Sequence, residues 1–171
     1  MSALRIVPLT ATAPTCGMLA ELLVEVVAAG GSVSFMHPLA LPTALAFWEQ
    51  ALDAGARGER IVLGAWDGEL LAGTVTVLLD FPPNQPHRAE IAKLMTRPAL
   101  RGRGTAAALM RRAEQVAGAH GKTLLVLDTA SDGGAARLYQ RLGFTLAGEI
   151  PDYALKPHGG LTGTLLFWKR I

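Results

Sequence analysis

The chain has 171 residues, of which 50% are hydrophobic and 18% are charged, and its formal net charge is +2. This composition excludes a disordered chain, and the length predicts one domain over residues 1–171 with a sizeable core. The small net charge does not by itself indicate a nucleic-acid partner. No apolar run reaches the roughly 18 residues of a membrane span. The first ten residues lack the apolar stretch of a signal peptide.

The N-terminal third is predicted to form one strand and two helices. Residues 3–9 (ALRIVPL) have the pattern of an edge strand, which tolerates a proline near its end. Residues 12–28 place leucines and valines on one face, with Glu21 and Glu25 on the opposite face, as in an amphipathic helix. A second helix is predicted over residues 42–54, because a proline suits its first turn.

A β-hairpin is predicted in the next part of the chain. Residues 60–66 and 70–79 have strand patterns, and the Asp67-Gly68 pair between them is the strongest hairpin signal in the sequence. Residues 80–86 contain three prolines and are predicted to form a loop.

The segment over residues 87–116 combines a strand, a glycine-rich turn and a helix. The strand over residues 89–95 is followed by Pro98, which cannot donate a hydrogen bond to a sheet. The run Arg101-Gly102-Arg103-Gly104-Thr105-Ala106 comes next, and an alanine-rich stretch with a helical apolar stripe begins at Ala106. The glycines therefore lie where a helix begins.

The C-terminal third is predicted to contain three strands and one helix. Residues 122–128 form a nearly continuous apolar run, typical of a strand covered on both faces. A helix is predicted over residues 133–142, another strand is predicted to begin over residues 144–148, and a last strand is predicted over residues 161–169. The complete order predicts an α/β (α+β) fold, with a mixed, mostly antiparallel sheet that contains one parallel pair and carries helices on both faces.

The glycine turn has the features of a phosphate-binding site. A helix start offers unpaired N–H groups and partial positive charge, glycines allow close approach of a ligand, and Arg101 and Arg103 add full charges. These features suit a diphosphate, although a tight connection with two solvated arginines is the alternative.

A P-loop is excluded because no Gly-Lys-Ser or Gly-Lys-Thr follows the glycines. A dinucleotide-binding turn fits the glycine spacing, but four residues separate the glycines from the strand.

Two segments resemble the GNAT acyltransferases, which bind acetyl-CoA. Arg101-x-x-Gly104-x-Ala106 resembles the (Q/R)-x-x-G-x-(G/A) signature of that family, and residues 135–144 (AARLYQRLGF) resemble its A-x-x-L-Y-x-x-x-G-F segment. The resemblance covers roughly residues 60–150 and implies the GNAT fold for the predicted sheet. The stretch HRAEIAKLM, followed later by IPDYAL and a glycine turn, is similar to the tabtoxin-resistance type of acetyltransferase.

The resemblance implies acetyl-CoA as a cosubstrate and assigns residues to its binding. These are the end of the strand, the glycine turn and the tyrosine of the second motif: Leu94, Met95, Thr96, Arg101, Gly102, Arg103, Gly104, Thr105, Ala106 and Tyr139. A backbone N–H near Met95 is the expected donor to the oxyanion that develops during transfer. Asp132 stands where many members have asparagine, which puts a pantetheine contact there in doubt, and Ser131 or Asp132 is expected to cap the following helix.

Three residues are catalytic candidates for the implied acetyl transfer to an amine. A free alkyl amine has a pKa of about 10 and is mostly protonated, so that a base is useful. Tyr139 matches the family tyrosine that reaches the CoA sulfur, and it is expected to protonate the leaving thiolate unless it is a core residue. Glu90 interrupts an apolar strand and is a candidate base, with an ion pair to Lys93 or Arg88 as the alternative. Asp128 ends a strand, where it would orient the acceptor, assist as base, or cap a turn.

The acceptor is expected to be the amine of a small molecule. Phe35 and His37 are expected to bind it together with Glu90 and Asp128, whereas Trp48 is expected in the core. Amino-acid-like metabolites, antibiotics, toxins, polyamines and protein N-termini all remain open as acceptors. A non-catalytic acyl-CoA-binding or sensing domain is the alternative function, and an arginine-rich nucleic-acid binder is a third. We expect a monomer or homodimer without nucleic-acid or membrane partners.

The single cysteine and the histidines do not predict a metal site. Cys16 is the only cysteine, which forbids an intrachain disulfide and suits a reducing compartment, so a cytoplasmic protein is expected. His37 and His87 are isolated in loops, and no metal-ligand spacing is present. Cys16 is expected to be a small buried residue rather than a nucleophile.

Overall fold

A computed structural model describes residues 4–171 and shows one seven-stranded sheet with helices on both faces. The strands are β1 (Arg5–Pro8), β2 (Arg60–Asp67), β3 (Leu70–Leu78), β4 (Arg88–Thr96), β5 (Leu124–Ala130), β6 (Thr145–Leu155) and β7 (Leu161–Arg170). The helices are α1 (Ala13–Ala28), α2 (Leu41–Ala56), α3 (Thr105–Ala119) and α4 (Ala136–Arg141), with a 3-10 turn over Pro98–Leu100. The predicted order of strands and helices is confirmed. Residue 3, which begins the first predicted strand, lies outside the described residues.

The sheet has the order β1-β2-β3-β4-β5-β7-β6, and only β4 and β5 are parallel. Their pairing runs from Arg88 opposite Leu124 to Glu90 opposite Val126 and then stops. Beyond that point β4 continues to Thr96 and β5 to Ala130 without pairing to each other. The predicted mixed sheet with one parallel pair is therefore confirmed, and the sheet opens between its two parallel strands.

A β-bulge bends β4 at the place where the sheet opens. Thr74 of β3 is opposite Met95, whereas Thr76 is opposite Ala92, so one residue of β3 faces two residues of β4. Lys93, one of these two, has a left-handed backbone with a φ of 52°. A bulge of this kind redirects the strand and its side chains.

The two sheet faces carry separate apolar cores. One contains buried side chains of α3, such as Leu109 and Ala113, and the other contains buried side chains of α1 and α2, such as Leu23 and Trp48. The periodic leucines and valines of residues 12–28 account for the burial of α1 against the sheet. The predicted core position of Trp48 is confirmed, and Cys16 is also buried.

Three local predictions differ from the structure. The hairpin turn is Gly68-Glu69 instead of Asp67-Gly68, because Asp67 pairs with Leu70. The helix predicted over residues 133–142 begins only at Ala136 and has no side-chain cap, so the capping role expected for Ser131 or Asp132 is wrong. The strand predicted over residues 122–128 lies two residues later, at Leu124–Ala130.

The strand predicted to begin over residues 144–148 is β6, which continues to Leu155. It contains Pro151, which an edge strand tolerates because one side of its backbone needs no sheet partner. The register shifts between Ile150 and Ala154, and Asp152 within this stretch has a left-handed φ of 51°. The chain absorbs the proline by this irregularity and continues the strand.

Candidate active site

The unpaired ends of β4 and β5 border a cleft with a volume of 710 Å³. Its walls come from β4, β5, the start of α3, helix α4, the α1–α2 connection and the β6–β7 hairpin. The residues that line the cleft include Ser34, Lys93, Leu94, Met95, Thr96, Arg101, Ala106, Asp128, Asp132, Tyr139, Lys156 and Thr162. Distant parts of the chain thus meet at the site where the parallel pairing ends.

The glycine turn forms one end of the cleft through Arg101 and Ala106. Gly102 and Gly104 have left-handed backbones with φ of 78° and 83°, a conformation that favours glycine. Gly104 is the N-cap of α3 and supplies no side chain, so the first N–H groups of the helix remain available to a ligand. The sequence pattern had placed the glycines at a helix start, and this prediction is confirmed.

Gly73 of β3 lies where the start of α3 packs close to the bulged strand β4. A Cβ atom on Gly73 would lie 2.6 Å from the Met95 carbonyl oxygen and 3.3 Å from the Thr105 Cγ2 atom. A side chain at residue 73 would therefore force the Met95 carbonyl to shift and would crowd the buried Thr105. This contact fixes the helix start relative to Met95, near which the oxyanion donor is predicted.

Tyr139 reaches the cleft from α4 and is only 6% exposed. Its ring lies 6.0 Å from the Phe144 ring and 5.8 Å from the Phe167 ring, which holds it in the core between them. Burial, with a further contribution from the negative charge of Asp128, raises the pKa of Tyr139 to about 12. The hydroxyl therefore keeps its proton at neutral pH and is a permanent hydrogen-bond donor at the cleft.

Asp128 is brought into the same cleft as Tyr139. It lies on β5 beyond the last residue paired with β4, and its carboxylate accepts a hydrogen bond from the Thr164 hydroxyl at 2.8 Å. The residue is exposed, so the carboxylate keeps free acceptor positions toward the cleft. An acid and a carboxylate thus share the open end of the sheet.

Glu90 is not brought together with these two residues. It is the last residue of β4 that pairs with β5, it lies outside the cleft lining, and its carboxylate forms an ion pair with Arg88 at 3.3 Å. Arg88 also donates to Gln85 and lies over the Phe81 ring. The structure provides the ion pair that the sequence left as an alternative, and the role of Glu90 as base remains a prediction.

Leu94, Met95 and Thr96, which are expected to bind the cofactor, line the cleft, whereas Phe35 and His37 do not. The Phe35 ring packs edge-on against Phe47 at 5.2 Å, and the backbone N–H of His37 donates to the Pro157 carbonyl at 2.9 Å. Both residues belong to the connection whose neighbouring residues 32–34 line the cleft. Their contact with an acceptor remains a prediction.

Lys93 is a charged cleft residue to which the sequence pattern assigns no site role. Its side chain is partly buried, and burial lowers the pKa of its ammonium group. The Nζ atom donates to the Ser34 hydroxyl at 3.0 Å and lies 5.7 Å from the centre of the Phe47 ring. The signal in the sequence is a lysine within an apolar strand, a pattern that by itself indicates only an ion-pair partner for Glu90.

Asp132 is tied to the β6–β7 hairpin across the cleft. Its carboxylate accepts a hydrogen bond from the Thr162 hydroxyl at 2.8 Å and forms an ion pair with Lys156 at 3.3 Å. The Thr162 hydrogen bond, with further contributions from Lys156, lowers the pKa of Asp132. The neighbouring ammonium offsets the negative charge that the sequence suggested would repel a phosphate.

Within residues 4–171 no group of three or more potential metal ligands is present, and no helix of this range is long and apolar enough to cross a membrane. The absence of a metal cofactor, the oligomeric state and the compartment remain predictions.

The architecture is similar to that of known acetyltransferases. A ribosomal-protein-alanine N-acetyltransferase from Brucella melitensis superposes with a TM-score of 0.82 at 19% identity, covering 99% of this chain and 100% of the other. An N-acetyltransferase from Staphylococcus aureus gives a TM-score of 0.81 at 18% identity and 99% coverage of both chains. YncA from Salmonella typhimurium, determined with its cofactor acetyl-CoA, gives 0.79 at 20% identity, covering 99% of this chain and 94% of the other.

These structural likenesses establish the acetyltransferase fold. Residues 33–144 match the sequence model of the acetyltransferase (GNAT) family, a match that includes the glycine turn and the tyrosine segment. The chain belongs to the GNAT acetyltransferase family.

Proposed function

We propose that this protein is an acetyl-CoA-dependent N-acetyltransferase that acetylates the amine of a small, amino-acid-like molecule. The observation that carries the proposal is the arrangement of one cleft, with a glycine turn and helix start at one end and Tyr139 with Asp128 beside the unpaired strands. The determination of the related YncA protein with acetyl-CoA supports the choice of cosubstrate.

The residues of the glycine turn fit a diphosphate. Both glycines leave open space where a Cβ atom would lie, so a ligand can approach the backbone closely. The free N–H groups at the start of α3 and the charge of Arg101 together favour an anion. We assign the pyrophosphate of acetyl-CoA to this turn and its acyl arm to the opening between β4 and β5.

Acetyl transfer to a neutral amine forms a C–N bond and breaks a C–S bond, while the nitrogen loses one proton and the thiolate sulfur gains one from the solvent. An acceptor that arrives as an ammonium ion loses one further proton before it attacks. We assign to Asp128 the binding of the ammonium form of the acceptor and the removal of its further proton. Tyr139 keeps its proton at neutral pH, which supports a role as hydrogen-bond donor to the sulfur. A backbone N–H of β4 near Met95 would stabilise the oxyanion.

We propose that the protein is of the tabtoxin-resistance type within this family. The support for this subgroup is the similarity of the HRAEIAKLM and IPDYAL stretches to that type. Their residues lie on β4 and β6, and both strands contribute to the cleft walls. A protein N-terminus is the second candidate acceptor, because the related Brucella melitensis enzyme is named for a ribosomal protein. A non-catalytic acyl-CoA sensor is the alternative from another functional class.

The test compares two glycine substitutions. Gly104→Val should abolish CoA binding, because a branched side chain would occupy the approach to the helix start. Gly121→Val is the matched control, since Gly121 also has a left-handed backbone (φ 73°) and open space at its Cβ position but lies beyond the other end of α3. Both variants should lose similar stability, of roughly 1–2 kcal/mol.

Calorimetry with CoA and a thiol-release assay with acetyl-CoA and an amine panel give the readouts. We expect the control to retain CoA affinity and turnover, and Gly104→Val to lose both while it remains folded by circular dichroism. Unchanged CoA affinity in folded Gly104→Val would refute the cofactor assignment. CoA binding without turnover of any amine or peptide N-terminus by the wild-type protein would favour the sensor.

A further inference from the structure

Lys93 occupies an unusual position in the cleft. It lies in the bulge of β4 with a left-handed backbone, and its partner Ser34 also has a left-handed backbone, with a φ of 77°. Such conformations are uncommon for residues other than glycine and collect at ligand sites. The two side chains meet across 59 positions of sequence at the cleft, where the Nζ atom donates to the serine hydroxyl.

The ammonium group of Lys93 has no carboxylate partner among residues 4–171 at ion-pair distance. Asp128 and Glu90 exert attraction from further away, and the guanidinium of Arg60 opposes them. A partly buried cation costs free energy unless it is paired, so this arrangement leaves an anion position open. Lys93 retains two N–H donors, and the Ser34 hydroxyl, which accepts from Lys93, retains its own proton to donate.

Lys93 lies on the face of the sheet away from the glycine turn. It contacts Ser34, which precedes α2, and Phe47 within α2. Helices α1 and α2 cover the sheet face opposite to the one that α3 covers. The glycine turn at the start of α3 has its own charge in Arg101. The pyrophosphate therefore has a separate site, and the anion at Lys93 belongs to the other substrate.

We propose that Lys93 and Ser34 form a carboxylate-binding subsite, so that the acceptor carries a carboxylate as well as the amine it presents to Asp128. A cation and a carboxylate of the protein line one cleft and match the two charges of a zwitterionic amino acid. This inference rests on the proposed N-acetyltransferase function and narrows its acceptor to amino acids with a free carboxyl group. The bulge would serve to aim the lysine at that group.

The experiment uses acid and carboxamide pairs of one amino acid. L-methionine, L-phenylalanine and L-lysine are tested as free acids and as carboxamides, with spermidine as an amine that lacks a carboxylate. The carboxamide keeps the shape and the reacting amine but removes the negative charge. We expect the wild-type kcat/KM to favour the acid of at least one pair by roughly 10- to 100-fold, because a charged hydrogen bond is lost in the amide.

Three variants locate the preference. Lys93→Met keeps the chain length and removes the charge, and it should bring the acid-to-carboxamide ratio close to one, mainly through the KM of the acid. Lys93→Arg keeps the charge and should retain most of the preference. Lys122→Met is the matched control, because Lys122 bonds to the carbonyls of Leu79 and Pro86, does not line the cleft, and should leave the ratio unchanged.

Each outcome decides between the subsite and the proposed reaction. Three results would overturn the subsite and leave the N-acetyltransferase function standing. The wild type could acetylate acid and carboxamide equally, the preference for the acid could survive in folded Lys93→Met, or spermidine could be the one amine that is turned over. No turnover of any amine in the panel, with CoA still bound, would overturn the proposed acceptor class and this inference with it. Thermal melting of every variant separates these results from loss of the fold.

Discussion

Tyr139→Phe is the substitution that tests the catalytic part of the proposal most directly. It removes one hydroxyl and keeps the ring that packs between Phe144 and Phe167. No side-chain hydrogen bond from this hydroxyl to residues 4–171 is present, so its removal should leave the fold intact. A loss of turnover in a protein of unchanged stability would then report on chemistry alone.

The expected size follows from the pKa of about 12. A thiol titrates near 8.5, so complete proton transfer from Tyr139 to the thiolate is uphill by about 3.5 units, or ~5 kcal/mol. Its contribution should therefore come from a hydrogen bond to the sulfur as charge develops, which is worth roughly 1.5–3 kcal/mol. We expect kcat to fall on the order of 10- to 100-fold with little change in acetyl-CoA affinity.

A second readout uses the stability of the folded protein at high pH. Because the folded pKa of Tyr139 is raised from 10.0 to about 12, its contribution is complete below pH 10 and is lost as the pH rises toward 12. The wild type should lose up to about 2.7 kcal/mol more than Tyr139→Phe across this window. Urea unfolding of both proteins at pH 8 and pH 11.5 measures the difference.

The kinetic assay is thiol release under saturating acetyl-CoA with the best amine of the panel, paired with calorimetric CoA affinity. Turnover that survives in Tyr139→Phe, together with a drop in melting temperature, would make Tyr139 a core residue. Tyr153→Phe is a comparison within the cleft lining: Tyr153, the other tyrosine of the sequence, also lines the cleft but is 57% exposed on β6, and its loss should change kcat far less.

Two further predictions concern the packing of β3 against Met95 and the identity of the general base. Gly73→Ala should destabilise the protein by roughly 1–3 kcal/mol in urea unfolding, because the new Cβ would meet the Met95 carbonyl, whereas Gly118→Ala, which meets nothing within 4 Å, should be neutral or stabilising. Asp128→Asn should shift or remove the acidic limb of the kcat/KM–pH profile, with Glu90→Gln as the parallel test. A limb that moves only in Glu90→Gln would assign the base to Glu90, and a limb unchanged in both would show that the amine arrives neutral.

Elements with local signals were predicted well. Thr12 caps α1, since its hydroxyl accepts from the Thr15 N–H at 3.2 Å, and the helix ends near the predicted residue 28. Gly104 marks the start of α3, because a left-handed residue just before a helix leaves a recognisable glycine. Such signals lie within a few residues of the feature that they specify.

Features set by distant contacts were not predicted. No glycine or proline marks the bulge at Lys93, since its register depends on β3, and the contact with Ser34 joins segments far apart in sequence. The sequence marked only the beginning of β6, which continues past Pro151 because it lies at the sheet edge. The cleft could be inferred from motifs, but the lysine on its acceptor side required the three-dimensional arrangement.

The irregular middle of β6 has a consequence for association between molecules. This edge strand has no fully buried residue and exposes Leu146, Ile150 and Leu155, a composition that favours pairing with strands of other chains. Pro151 lacks an N–H group, and the left-handed Asp152 interrupts the regular spacing. An approaching strand therefore meets an edge that is interrupted twice, between Leu146 and Gly148 and between Ile150 and Ala154, and such interruptions disfavour open-ended strand addition.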